Sequence, residues 1–212
     1  MSTPVFSAPV VSVPAISRLP TGFPALDHLL GGGWPLGMLT ELLVSGHGSG
    51  ELGLLSPALA ILTARVAAPT MAPPRAGSWV MLIAPPWIPY GPGLCWQGLA
   101  LNRVLMVSVR QPLEALWAME EALRSGACAG VITWLGTTAA YRVGHSLLQR
   151  LHLLAGKQQA WAVLIRAARC RGERSPARLR LQLLYLSPTT LQLEIFKNGW
   201  RGAGTVIVER RF

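Results

Sequence analysis

From Met38 to Leu55 the chain reads MLTELLVSGHGSGELGLL: an apolar run of strand length, a glycine-rich loop, then the start of a segment of helical length. A strand that feeds a helix through a short glycine loop commits the chain to a parallel sheet, because the helix must carry the backbone back before the next strand begins. The same alternation continues. SWVMLIAPP and VLMVSV read as buried strands, PLEALWAMEEALRSG as a helix with Pro112 in its first turn and Gly126 as its stop, and AGVITWLG as another strand. YRVGHSLLQRLHLLAGKQQ is an amphipathic helix with Leu147, Leu148, Leu151 and Leu154 at helical spacing, and AWAVLIRA closes the series.

The expected class is therefore α/β, with a mainly parallel sheet flanked by helices and right-handed crossovers. RLRLQLLYLS, LQLEIFKN and GTVIVERR, separated by turn residues, are predicted as antiparallel strands added at the C-terminal end. Upstream, a short helix over Ala25 to Leu30, a turn at Gly31 to Gly33 and a strand from Met38 to Val44 are expected. Pro57 is expected either to kink the helix after the loop or to delay its start. Residues 1–20, rich in Pro and Ser, are predicted as an irregular arm, with one domain over 21–212.

The loop Ser45, Gly46, His47, Gly48, Ser49, Gly50, Glu51, Leu52 has the outline of a phosphate-binding loop without its chemistry. Such a loop reads G-x-x-x-x-G-K-[ST], with backbone N–H groups and a Lys on the phosphates and a hydroxyl on magnesium. Here Ser45 stands for the first Gly, Glu51 for the Lys and Leu52 for the hydroxyl. A carboxylate about 4 Å from a phosphate oxygen repels it by roughly 4 kcal/mol at an effective dielectric near 20. Trp134 stands at the strand end where a metal-binding acid would be needed.

No catalytic residue, metal site or cofactor is predicted. Glu114 and Glu120 read as the acidic first half of a solvated helix face. His28, His47, His145 and His152 are scattered, and Cys95, Cys128 and Cys170 lack metal-ligand spacing and read as buried thiols. Trp79, Trp87, Trp117, Trp134 and Trp161 are expected in the core or on a partner face.

Lys and Arg number 19 against 9 acidic residues, a formal charge of +10, which favours an anionic partner. Arg166, Arg169, Arg171, Arg174 and Arg178 fall within thirteen residues and are the candidate contacts for DNA or an acidic protein face. Hydrophobic residues make up 51% and charged ones only 13%, an apolar excess that leaves surface for a partner. The uncharged run Ala76 to Asn102 contains Pro85, Pro86, Pro89 and Pro92 and is not a continuous membrane helix. With no charged, unbroken leader at the N-terminus, a cytoplasmic location is expected.

TGFPALDHLLGGGWPLGMLTELL and QPLEALWAMEEALRSGACAGVI resemble the opening and a later helix–strand unit of the RecA core. More specifically, GGGWPLGMLTELL, LIAPPWIPYGPGLCWQGL and ALRSGACAGVITW resemble the ImuA family, RecA-like accessory proteins of bacterial SOS mutagenesis cassettes, over about Thr21 to the C-terminus. That resemblance implies a RecA-like core and a non-catalytic role in SOS-induced translesion DNA synthesis, nucleoid-associated during DNA damage. The implied partners are RecA, ImuB and an error-prone replicative-type polymerase subunit, with DNA as a further candidate and self-association left open. A SulA-like cell-division inhibitor and a single-stranded DNA-binding RecA paralogue are the alternatives.

Overall fold

The computed structural model describes residues 16–64, 79–136 and 141–209. The first fifteen residues of the expected arm, residues 65–67 of the segment expected as the post-loop helix, and residues 210–212 lie outside them. Regular structure starts earlier than the expected boundary at Thr21. Arg18–Leu19 (β1) pairs antiparallel with Trp34–Pro35 (β2), and Leu19 is fully buried.

Pro24–Leu30 forms α1, with Pro at its start and Gly31 as a left-handed C-cap at φ +78°. Thr21 and Asp27 brace its entry, since the Thr21 N–H donates to Asp27 Oδ1 at 2.9 Å. Met38–Val44 is β3, buried along nearly its whole length, and Glu51–Thr63 is α2. The helix begins at the loop and carries Pro57 inside it, so the delayed start does not occur. Gly22 packs so closely on Pro57 that a Cβ there would lie 2.5 Å from the Pro57 Cβ.

Trp79–Ile83 (β4), Gly91–Trp96 (α3), Val104–Val107 (β5), Pro112–Ser125 (α4), Cys128–Trp134 (β6), His145–Gln158 (α5) and Trp161–Ala167 (β7) complete the alternation. α4 starts in a capping box between Gln111 and Glu114 and ends at Gly126, φ +69°, as its sequence predicts. Glu120 is not on a solvated face. It is nearly buried and paired with Arg124 and Arg150.

Leu179–Tyr185 (β8), Thr190–Asn198 (β9) and Gly204–Glu209 (β10) follow. The eight-stranded sheet has the order β10-β9-β8-β3-β7-β6-β4-β5. Its two hairpin-linked pairs, β8–β9 and β9–β10, are antiparallel, but β8 joins the older strands in parallel to β3. The antiparallel set therefore begins one strand later than expected.

Two cores sandwich the sheet. Leu54, Leu55, Leu59 and Leu62 of α2, with Leu26 and Leu30 of α1 and Leu94 of α3, fill one face. Leu116, Met119 and Leu123 of α4 with Leu148 and Leu151 of α5 fill the other. Each buried Leu contributes about 1.5–3 kcal/mol of transfer free energy, which makes these stripes the main fixing force on both helix layers. Trp134 and Trp161 lie in the core as expected, while Trp87, Trp96 and Trp117 are exposed. Cys128 and Cys170 are buried, but Cys95 is exposed, contrary to the expectation for all three thiols.

Candidate functional site

In register, Val44 stands opposite Ala167, and Trp134 opposite Ile165. The glycine loop, Trp134 and the arginine segment thus share the carboxyl end of the parallel strands, where open α/β sheets place their ligand crevice. The sequence predicts each of these features separately, and the sheet brings them to one end.

The loop is closed by its own side chains. Gly50 caps α2 in the left-handed region at φ +97°, and Gly48 adopts φ +74°. The Gly48 N–H, which in a phosphate loop would face an oxygen of the ligand, donates instead to Glu51 Oε1 at 3.1 Å. Glu51 is only 4% exposed, and its second oxygen, Oε2, is buried with no hydrogen-bond partner among the described groups. Its place in the first turn of α2 puts the carboxylate against the positive end of the helix dipole.

Ser49 Oγ donates to the Gly46 carbonyl at 2.7 Å and so ties the turn to itself. From above, the Trp87 ring reaches over Gly48, where a Cβ would lie 3.1 Å from the ring, and meets His47 edge-on at 5.9 Å. Leu52 packs against the core, and Ser45 is exposed. Trp134 is buried in the same core as the α2 leucines, so an indole occupies the strand end where a metal-binding acid would stand. Among the described residues no group of three or more His, Cys, Asp or Glu is placed to hold a metal.

The arginine segment divides into two kinds. Arg166, a predicted contact residue, is 1% exposed and cannot reach a partner. Its Nη1 donates to Glu41 Oε1 at 3.3 Å and its Nη2 to Glu173. Burial works against its charge, but Glu41, Cys170 and Glu173 outweigh that and raise its pKa above the ordinary arginine value.

Arg180, absent from the predicted set, completes this network. Its Nε donates to Glu41 Oε2 at 2.7 Å, and its other nitrogens donate to the carbonyls of Cys170, Arg171 and Glu173 at 2.9–3.2 Å. Ser175 Oγ adds a third donor to Glu41 at 2.8 Å. The network pins the segment after β7 onto β3 and β8.

Arg171 is half-exposed but occupied: it forms a fork with Glu194, donates to Gln182 and stacks over Phe196 at 4.6 Å. Arg169, Arg174 and Arg178 are exposed. Arg169 and Arg174 line an open cleft of about 440 Å3 together with Val143, Gly172, Glu173 and Arg142. The sequence reading missed Arg142, which comes from the segment after β6 and lies far from the others in the chain. Arg178 is not among the cleft residues.

The cleft is a cationic surface held on a buried ionic frame, adjacent in the sheet order to a loop that carries its own anion. Guanidinium forks at such a place suit phosphate and carboxylate alike. No helix among the described residues is long and apolar enough to cross a membrane. No protein-family model matches the chain, and no curated protein matches it.

Proposed function

We propose that the chain is a non-catalytic accessory protein of SOS-induced, error-prone translesion DNA synthesis, of the ImuA type. On this reading it carries a RecA-like core and bridges RecA to ImuB and an error-prone polymerase subunit, with no nucleotide required. The observation that carries the reading is Glu51: its carboxylate accepts the loop amide that a phosphate would need. Trp87 over Gly48 and Trp134 at the end of β6 support it, since they fill the positions a nucleotide and its metal would use. What remains at that end of the sheet is a surface for recognition, with Arg142, Arg169 and Arg174 facing outward.

The test is a tagged pull-down from DNA-damaged bacterial cells, run with and without ATP. RecA and polymerase components are expected in both, and their recovery should fall with Arg142→Glu plus Arg174→Glu. Recovery that depends on ATP, or magnesium–ATP binding at micromolar concentration, would overturn the reading.

The three-arginine cleft favours a second reading, direct binding of single-stranded DNA. On single strands each phosphate contact contributes about 0.7 to the salt dependence of log affinity. On that reading Arg142→Ala plus Arg174→Ala lowers the slope by about 1.4, whereas an unchanged slope excludes these residues from DNA contact.

A further inference from the structure

β5 is the last strand at one end of the sheet, paired only with β4 among the described residues. The Val107 carbonyl accepts the Ala84 N–H at 2.8 Å, so Val107 turns its amide groups toward β4. By the alternation of a strand, Leu105 does the same, and Met106 turns its N–H and C=O outward. Edge strands are ordinarily blunted by a charge, a proline or a bulge. Val104–Val107 reads VLMV and has none, with Leu105 40% and Met106 45% exposed on its two faces.

The surroundings say what kind of chain fits. Arg103 precedes the strand and Arg110 follows it, and no Asp or Glu occurs in the sequence between Glu51 and Glu114, whose carboxylate accepts the Arg110 backbone N–H at 3.1 Å. We propose that this edge is a docking surface for an extended segment of a partner protein in which apolar residues alternate with Asp or Glu. The segment adds to the sheet as a further strand. Its backbone pairs with Met106, its apolar side chains cover Leu105 and Met106, and its carboxylates meet Arg103 and Arg110. A second copy paired antiparallel on this edge would set Arg103 of one chain toward Arg110 of the other, placing like charges at both ends. Nucleic acid offers no apolar strand to cover Leu105 and Met106.

The probe is a labelled peptide of about ten residues alternating Glu and Val, long enough to span the edge, compared with its Lys-for-Glu counterpart on the full chain. The acidic peptide is expected to bind and the basic one not to, and the Met106 amide should become protected from hydrogen exchange on binding. Met106→Pro removes an outward N–H that β4 does not use and is expected to weaken binding at least about tenfold. Arg110→Glu, an exposed substitution that leaves β5 intact, is expected to weaken it about threefold. Failure of the acidic peptide to bind, equal binding of both peptides, or an unprotected Met106 amide would overturn the proposal. So would a concentration-dependent dimer that protects Met106, which assigns the edge to a second copy.

Discussion

Glu41 and Glu51 are both buried, one in β3 and one just past its end, yet they are held in opposite ways. Glu41 receives Arg166, Arg180 and Ser175 through its two oxygens. Glu51 receives one backbone N–H, and one of its oxygens has no partner among the described groups. A buried carboxylate ringed by cationic donors is part of the frame, because each partner depends on it for charge compensation. One that meets a single amide at a helix start is held by its own loop alone. The difference separates the carboxyl end of the sheet into a fixed ionic post and a closed loop.

The comparison breaks first at Glu41. Glu41→Gln keeps the shape but leaves Arg180 without a carboxylate and Arg166 with Glu173 alone. Removing one partner of a buried pair costs about 3–5 kcal/mol. Denaturant unfolding should show that loss with an unchanged slope, and the cleft arginines should become less ordered because Cys170 to Glu173 are anchored through Arg180. A loss below about 1 kcal/mol would mean that Glu41 is not the post.

How much of this was legible in the sequence follows from period and contact range. The strands from Met38 to Ala167 announce themselves as apolar runs, and Gly31, Gly126 and Pro112 mark helix ends by local geometry, so the alternating fold can be read directly. Glu51 in the place of a Lys was legible too, because it stands at fixed spacing in the loop, but its bond from the Gly48 N–H was not. The arginines were not, since five in thirteen residues look alike until pairing sorts them.

Glu41 was the available signal. A charge inside MLTELLV demands a partner, and RLRLQLLYL offers Arg180 on the alternate face, yet only the parallel pairing of β3 with β8 brings the two together. Arg142 was beyond local reading, because it meets Arg169 and Arg174 only through the adjacency of β6 and β7. The pairing of Leu19 with Trp34, fifteen residues on, was beyond local reading for a similar reason, and it buries Leu19 ahead of Thr21.

A smaller effect is expected at Glu51. Glu51→Gln retains an oxygen for the Gly48 N–H and removes a charge whose interaction with the α2 start contributes about 0.3–1 kcal/mol. An uncharged amide costs less to keep buried than a carboxylate, which offsets part of that. Unfolding stability should change by less than about 1 kcal/mol, well short of Glu41→Gln. Equal losses at the two sites, measured under the same conditions, would erase the distinction between post and plug.

His152 provides the finest test, because it holds β3 at its opposite end and its contribution should be complete at neutral pH and vanish on acidification. Its Nδ1 accepts the Leu39 N–H at 3.2 Å, which requires that nitrogen to be unprotonated. Burial lowers its pKa below the ordinary 6.5, and the charges of Arg178, just before β8, and Lys197, in β9, push the same way. In the window between that lowered value and 6.5 the unfolded chain binds more protons than the folded one, so stability rises with pH there. It is fully present above 6.5 and is lost as the pH falls through the folded value. His152→Asn, which keeps an acceptor near Nδ1 but does not titrate, should match the wild type in pH response above neutrality and lose less stability on acidification. If both proteins lose stability in parallel below pH 6.5, the acid response belongs to other groups and β3 is held by Glu41 without help from α5.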